Sequence, residues 1–319
     1  MAAVAFYRRL RGGGMSIKLN PRAPIGIFDS GLGGLAVLRE VIRLLPNENI
    51  LFLGDTARQP YGPRPVEKVR QFTIEITGYL IQQGIKMVII ACNTASVAGW
   101  KAAQRCFPDV PVLGMVVPGV RAALDASQSS RIGVWGTAIT IESKAYDKFL
   151  RQLRPNTEVL GVACPQLLRL AEKGKIDNRP YLLELAHKCF QPLADFQADS
   201  LILGCTDLTC VRDIAKEVAG EGVTVVDPAE EVVREARQIL KDAGGLGPRK
   251  EGSAHYQFLI TGDDTANFAA FAARFLSIPE VNVEQVAVAE VQQAVAGLSQ
   301  DSEDSARFQI AGLGKGMQF

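Results

Sequence analysis

From about residue 24 the chain alternates short apolar runs with longer amphipathic stretches. The runs Ile25–Phe28, Ile50–Leu53, Met87–Ala91, Val112–Met115, Ile132–Trp135, Val159–Val162, Leu201–Leu203 and Val223–Val226 predict strands. They are apolar at successive positions, the pattern of strands buried on both faces. Helices fit between most of them. In Arg64–Gln83 the residues Val66, Val69, Thr73, Ile76 and Leu80 share one face, and Gly84 stands where a helix C-cap belongs. Strands and helices in alternation predict an α/β fold of mostly parallel sheets flanked by helices.

In such sheets ligands sit beyond the carboxyl ends of the strands. The polar residues of this chain collect there. Asp29-Ser30-Gly31-Leu32-Gly33-Gly34 follows the first strand and Gly54-Asp55-Thr56 the second. Cys92-Asn93-Thr94 follows the third, Thr137 and Thr140 follow Ile132–Trp135, and Cys205-Thr206-Asp207 follows Leu201–Leu203. The segments MVIIACNTAS and SLILGCTDLT are alike, each a strand ending in a small residue, then cysteine, then polar residues that could open a helix. That likeness suggests an internal duplication, with two related α/β domains meeting at a cleft and each contributing one thiol.

Composition narrows the classes. The chain has 319 residues, 47% apolar and 22% charged, with formal net charge +1. No global field favours nucleic acid or an anionic surface, and no apolar run approaches the roughly 20 residues of a membrane span. The N-terminal MAAVAFYRRLRGGG places its basic cluster after its apolar stretch, unlike a secretory signal. Met15 could be the natural start, or residues 1–14 a short arm. Six cysteines at irregular spacing, with no export signal, fit a reducing cytoplasm better than a disulfide framework. The stretch from 291 to 319 is polar and irregular and reads as a mobile tail.

Each candidate has a plainer explanation. Most buried cysteines only pack, and that serves for Cys106, Cys164, Cys189 and Cys210. Cys92 and Cys205 differ, because strand-to-helix turns favour a thiolate through backbone N–H groups and the helix dipole. Asn93-Thr94 and Thr206-Asp207 are good N-cap types, and Asp207 could be a cap and nothing more. DSGLGG matches no phosphate loop, so its glycines are read as forming a turn that leaves Asp29 and Ser30 facing a ligand. His187 and His255 read as structural or solvated, and no metal or organic cofactor is expected.

Two similar thiols on opposite faces of a substrate suit stereoinversion at carbon. One thiolate takes a proton from one side, and the other thiol returns one from the other side. A modestly lowered thiol pKa would serve both roles.

The segments IGIFDSGLGGL, FLGDTARQPYG, VIIACNTAS, VLGMVVPG, IGVWGT with TIES, Cys164-Pro165 with Glu172, LILGCTD and FLITGDDTANF carry a resemblance over about residues 24–290. The chain resembles the glutamate racemases of the cofactor-independent aspartate/glutamate racemase superfamily. The resemblance implies two pseudo-symmetric α/β domains with the site in the cleft between them. The first spans 22–115 plus 227–290 and the second 116–226, with 1–21 an N-terminal extension. It implies that Cys92 and Cys205 are the catalytic acid/base pair, with Asp29 and Asp207 also in the catalytic set. Asp29, Ser30, Pro60, Tyr61, Gly62, Asn93, Thr94, Thr137, Thr140, Glu172, Thr206 and Asp207 are the implied substrate contacts. It further implies a cytoplasmic enzyme without cofactor that supplies D-glutamate for peptidoglycan, with a homodimer as one expected state.

One position departs. The family usually carries histidine where this chain has Asp207, in GCTDLT. An ionised carboxylate beside Cys205 would raise the thiol's pKa. Two alternatives follow: a racemase for another amino acid such as aspartate, or a non-catalytic ligand-binding homologue.

Overall fold

A computed structural model of the chain describes residues 18–173, 175–248 and 254–296. Its elements run β1 (Ile25–Asp29), α1 (Leu35–Leu44), β2 (Ile50–Gly54), α2 (Val66–Gln82), β3 (Met87–Ile90), α3 (Asn93–Cys106), β4 (Val112–Gly114) and α4 (Val116–Ala126). They continue with β5 (Arg131–Gly136), α5 (Ala138–Glu142), α6 (Ala145–Leu153), β6 (Glu158–Ala163), α7 (Pro165–Glu172), α8 (Arg179–Asp195) and β7 (Ser200–Gly204). A 3-10 turn (Thr206–Val211), α9 (Arg212–Ala219), β8 (Thr224–Val226), α10 (Pro228–Asp242), β9 (Tyr256–Ile260), α11 (Thr265–Leu276), β10 (Val283–Gln285) and α12 (Val288–Ala296) complete the described chain.

The strands form two sheets, ordered β10-β9-β2-β1-β3-β4 and β6-β5-β7-β8, with every pairing parallel. β1, β2, β3 and β7 are buried at every position, as helices on both faces require. One core surrounds the first sheet, while separate clusters cover the two faces of the second. This is the α/β class expected, with two helix-flanked parallel sheets.

The order β2-β1-β3-β4 in the first sheet recurs as β6-β5-β7-β8 in the second. β1 and β5 therefore occupy the same place, between neighbours reached by connections running opposite ways. That is where a crevice opens at the carboxyl ends of the strands. Cys92 follows the third strand of one set and Cys205 the third strand of the other. The first strands also match, IGIFDS against IGVWGT, so Asp29-Ser30 corresponds to Gly136-Thr137. Helices α4 and α10 flank the places where the chain leaves the first sheet and returns. Gly119 lets them approach, since a Cβ there would lie 2.9 Å from Cγ of Pro228.

Several boundaries differ from expectation. Helix α2 stops before Gly84, whose φ of +77° suits glycine, as expected. β9 and β10 add two strands to the first sheet that the apolar runs did not mark. The stretch assigned to a tail from 291 begins inside α12, where Val291 and Ala294 are buried. Val288, Val291 and Val295 recur at helical spacing, and Val295 fills the space over Gly78 of α2. Residues 297–319 lie outside the described set. The supposed N-terminal extension is likewise anchored before residue 21: Leu19 packs on the core, and Lys86 Nζ donates to the carbonyl of Pro21 at 2.9 Å. Residues 1–17, including Met15, lie outside the described residues.

Candidate active site

The two cysteine turns are built differently. Cys92 is itself the N-cap of α3, its Sγ accepting from the N–H of Ala95 at 3.4 Å. Asn93 and Thr94 therefore lie in the first helical turn, and neither is the cap expected of it. The hydroxyl of Ser30 lies 3.8 Å from the Cys92 sulfur. Cys205 is extended and caps nothing, because a 3-10 turn intervenes before α9. Thr206 and Asp207 make no side-chain cap bond there. The Cys205 thiol donates to Oδ2 of Asp207 at 3.4 Å. The Thr206 hydroxyl donates to Oδ2 of Asp29 at 3.0 Å, tying the second sheet's cysteine turn to the first strand of the other. The capping explanation of Asp207 is thereby set aside.

The glycine loop does what a turn must and more. Oδ1 of Asp29 accepts from the N–H of Gly31 at 2.9 Å. A Cβ on Gly33 would lie 2.6 Å from the Thr206 hydroxyl and 2.7 Å from Oδ1 of Asp207. Gly33 is thus the point where the loop presses on the Thr206-Asp207 turn. A Cβ on Gly62 would meet Thr137 at 3.2 Å, so the Pro60-Tyr61-Gly62 segment reaches the second sheet as well. The Gln59–Pro60 peptide is cis. Tyr61 does not offer its phenol to the site. Its hydroxyl donates to Asp55, which also accepts from Arg58 Nε at 2.7 Å and from the Thr261 hydroxyl at 2.9 Å.

A line of hydroxyls crosses between the halves. The hydroxyls of Thr94 and Thr137 are 3.0 Å apart, as are those of Thr137 and Thr140. Asn93 accepts at Oδ1 from the hydroxyl of Tyr146 at 2.7 Å, while its buried Nδ2 has no partner. Tyr146 escaped the sequence reading; its spacing to Phe149 and Leu150 in α6 looks like core and nothing else. Glu172, at the end of α7, is half-buried and acts on the cluster through its charge, which raises the pKa of both Asp29 and Asp207. Hydrogen bonds and close approaches thus link Asp29, Ser30, Gly62, Cys92, Thr94, Thr137, Thr140, Cys205, Thr206 and Asp207 about the two cysteine turns, while Tyr61 pairs with Asp55 and Glu172 lies at the margin.

Electrostatics run against the expected lowered thiol pKa. Burial, then Asp29, pushes the Cys92 thiol up to about 12, against the pull of the Ala95 N–H and the Ser30 hydroxyl. Burial, then Asp207, lifts Cys205 well above the usual thiol range. The carboxyls rise too: Asp29 to about 6 through burial, and Asp207 well above the carboxylate range through burial, Asp29 and Glu172. The physical cause is common to all four. They are 1–7% exposed, and a buried cluster of acidic groups resists ionisation. The remaining cysteines are free, with Cys106 and Cys164 buried and Cys189 and Cys210 half-buried. His187 and His255 are exposed.

Comparison with known proteins bears on this arrangement. The family model for Asp/Glu/hydantoin racemases matches residues 25–236. This chain belongs to that family. A glutamate racemase of Streptococcus pneumoniae serotype 19F is 38% identical over 263 residues, covering 82% of this chain and 98% of the relative. A glutamate racemase isoform of Bacillus anthracis superposes with a TM-score of 0.79 at 36% identity, covering 84% of this chain and 99% of that one. The Thermus thermophilus glutamate racemase, solved with β-chloro-D-alanine, gives a TM-score of 0.72 at 38% identity, covering 85% and 99%. As a member of this racemase family the chain is an isomerase. Among the described residues no helix is long and apolar enough to cross a membrane.

Proposed function

We propose that the chain is a glutamate racemase working by a two-thiol mechanism. The observation that carries this reading is the placement of the thiols. Cys92 and Cys205 end the corresponding strands of two like-ordered sheets, and both border one cluster that the Asp29–Thr206 bond joins. The close relatives named glutamate racemase support the substrate.

In this reading one thiolate takes the Cα proton, the bond's electron pair passes toward the substrate carboxylate, and the opposite thiol protonates the other face. Donors at Asn93, Thr94, Thr137, Thr140, Ser30 and the backbone N–H groups of Tyr61 and Gly62, in the turn that Pro60 shapes, hold the carboxylate charge as it grows. Thiols with raised pKa are poor bases until something changes. The substrate ammonium supplies that change, because a cation among Asp29, Asp207 and Glu172 favours ionisation of the thiols beside it. Asp207 has a second part. Its own raised pKa lets it accept the Cys205 proton across their existing hydrogen bond, leaving a thiolate and a neutral acid. Thr206 holds the Asp29 carboxyl in place through its hydroxyl. Entry of glutamate parts the buried strand ends, so the Thr94–Thr137 contact is one that opens.

The reading includes the domain division at about residues 115 and 227, action in the cytoplasm, supply of D-glutamate for peptidoglycan, and a homodimeric state. The test is proton NMR of L-glutamate, with L-aspartate in a parallel tube, in D₂O with the protein. Loss of the glutamate Cα–H signal with D-glutamate appearing on a chiral column is the expected result. Loss for aspartate alone moves the substrate, and persistence of both signals at high protein concentration overturns the racemase reading.

A further inference from the structure

Tyr146 sits on α6, between the second-sheet strands β5 and β6, yet its hydroxyl reaches the residue after Cys92, beyond β3 of the first sheet. It donates to Oδ1 of Asn93 at 2.7 Å. The ring is 3% exposed and packs in the cluster with Val116, Ile132, Val134, Leu150 and Ile202. A ring so enclosed has one orientation, so its hydroxyl is a fixed point. Burial, with Cys205 and Asp227 nearby, raises the phenol's pKa, so it remains a proton donor throughout the working range.

Asn93 is 1% exposed, and its Nδ2 is buried with no hydrogen-bond partner. A buried unmet donor of this kind costs about 1–3 kcal/mol, and its survival beside a reacting cysteine asks for an acceptor that arrives later. A carboxamide can turn over, exchanging its oxygen and nitrogen. Only the orientation in which Oδ1 takes the Tyr146 proton leaves N–H groups free. The other would present oxygen to an arriving carboxylate.

We propose that Tyr146 is a positioning residue for the reaction, fixing the Asn93 carboxamide so that Nδ2 stands ready to donate to the substrate carboxylate. The inference rests on the racemase reading above and adds a residue to it. It also means that the donor beside one thiol is aimed by the half of the molecule that carries the other.

The experiment measures kcat and KM for both glutamate enantiomers in wild type, Tyr146→Phe, Asn93→Ala and the double variant, with thermal unfolding of each. Tyr146→Phe keeps the ring and loses only the hydroxyl. The expected result is a roughly tenfold rise in KM for both enantiomers, as loss of one aimed hydrogen bond to a charged group implies. In the Asn93→Ala background the same change adds less than about twofold, because the two act through one contact. An unchanged KM in a folded Tyr146→Phe overturns the inference, as do effects that multiply in the double variant. A loss confined to kcat that follows the drop in unfolding temperature would show a structural role only and overturn it too. A wild type that turns over neither enantiomer instead overturns the reading beneath it.

Discussion

The thiol of Cys205 and the carboxyl of Asp207 are hydrogen-bonded at 3.4 Å, two residues apart at the end of β7. At the position where the resemblance led to an expectation of histidine, this chain couples an acid to an acid. Burial comes first in raising the Cys205 pKa and Asp207 second, so Asp207→Asn removes the second cause and leaves the first. Alkylation of Cys205 by iodoacetamide, followed by mass spectrometry against pH, should shift to lower pH in the variant. Racemisation should nevertheless fall, by about 10²-fold or more, because the group that accepts the thiol proton is gone. Asp207→His should retain turnover within about tenfold of wild type. An alkylation profile unmoved in Asp207→Asn would show that the carboxyl does not govern the thiol.

Cys92→Ser and Cys205→Ser should each abolish racemisation, by at least about 10³-fold, since a serine hydroxyl neither loses nor holds a proton as a thiol does. Both variants should remain folded, because the change is nearly isosteric at sites 5% and 7% exposed. Chiral chromatography of each enantiomer after incubation reads the result. Substantial turnover by either variant would rule out the two-thiol mechanism.

Gly33→Ala tests the loop that joins the two turns. The added Cβ would lie 2.6 Å from the Thr206 hydroxyl, 2.7 Å from Oδ1 of Asp207 and 3.0 Å from its backbone nitrogen. Backbone on one side and two functional side chains on the other leave little to yield. The expected cost is about 1–3 kcal/mol in denaturant unfolding, the usual price of overpacking, with kcat/KM down by more than tenfold. Gly222→Ala, with nothing within 4 Å of its Cβ, is the matched control and should change neither. Equal effects in the two variants would argue against a tight joint at Gly33.

The strands that carry the site were legible because parallel strands buried on both faces write themselves as unbroken apolar runs. β10 is three residues at a sheet edge with two of them exposed, and β9 is half-exposed at its start, so neither leaves that mark. The end of α12 was obscured by the polar residues Gln292 and Gln293 on its outer face. Site residues were legible by their place after the strands, but their partners were not. Thr206 and Asp207 have the residue types of an N-cap, and only contact with Asp29, 177 positions away, shows that Thr206 is otherwise engaged. The lowered thiol pKa expected from a helix start failed for the same reason, whereas the upward push of Asp207 on Cys205 was legible from their adjacency. A helix start is visible in sequence, whereas burial and the gathering of Asp29, Asp207 and Glu172 are products of the fold.

Asp29 carries the clearest pH signature. Burial raises its pKa from 3.8 to about 6, although the N–H groups of Gly31 and Gly34 and the Thr206 hydroxyl pull the other way. A carboxyl whose folded pKa exceeds its unfolded value binds its proton more tightly in the native state. Its contribution to stability is therefore full below about pH 4 and is lost as pH rises through about 6. At pH 7.5 the fold bears the cost of a buried charge, on the order of 2–3 kcal/mol for a shift of this size. Asp29→Asn removes that charge, keeps an oxygen for the Gly31 N–H, and offers Thr206 an amide to which its oxygen can pair. The variant should be more stable than wild type at pH 7.5, by about 1–3 kcal/mol, and the difference should close by about pH 4.5. Urea unfolding at the two pH values measures it. Activity should fall over the same range, since the carboxylate that is costly to the fold is the one that receives the substrate ammonium. A variant less stable than wild type at pH 7.5 would mean that the hydrogen bonds to Asp29 outweigh its burial.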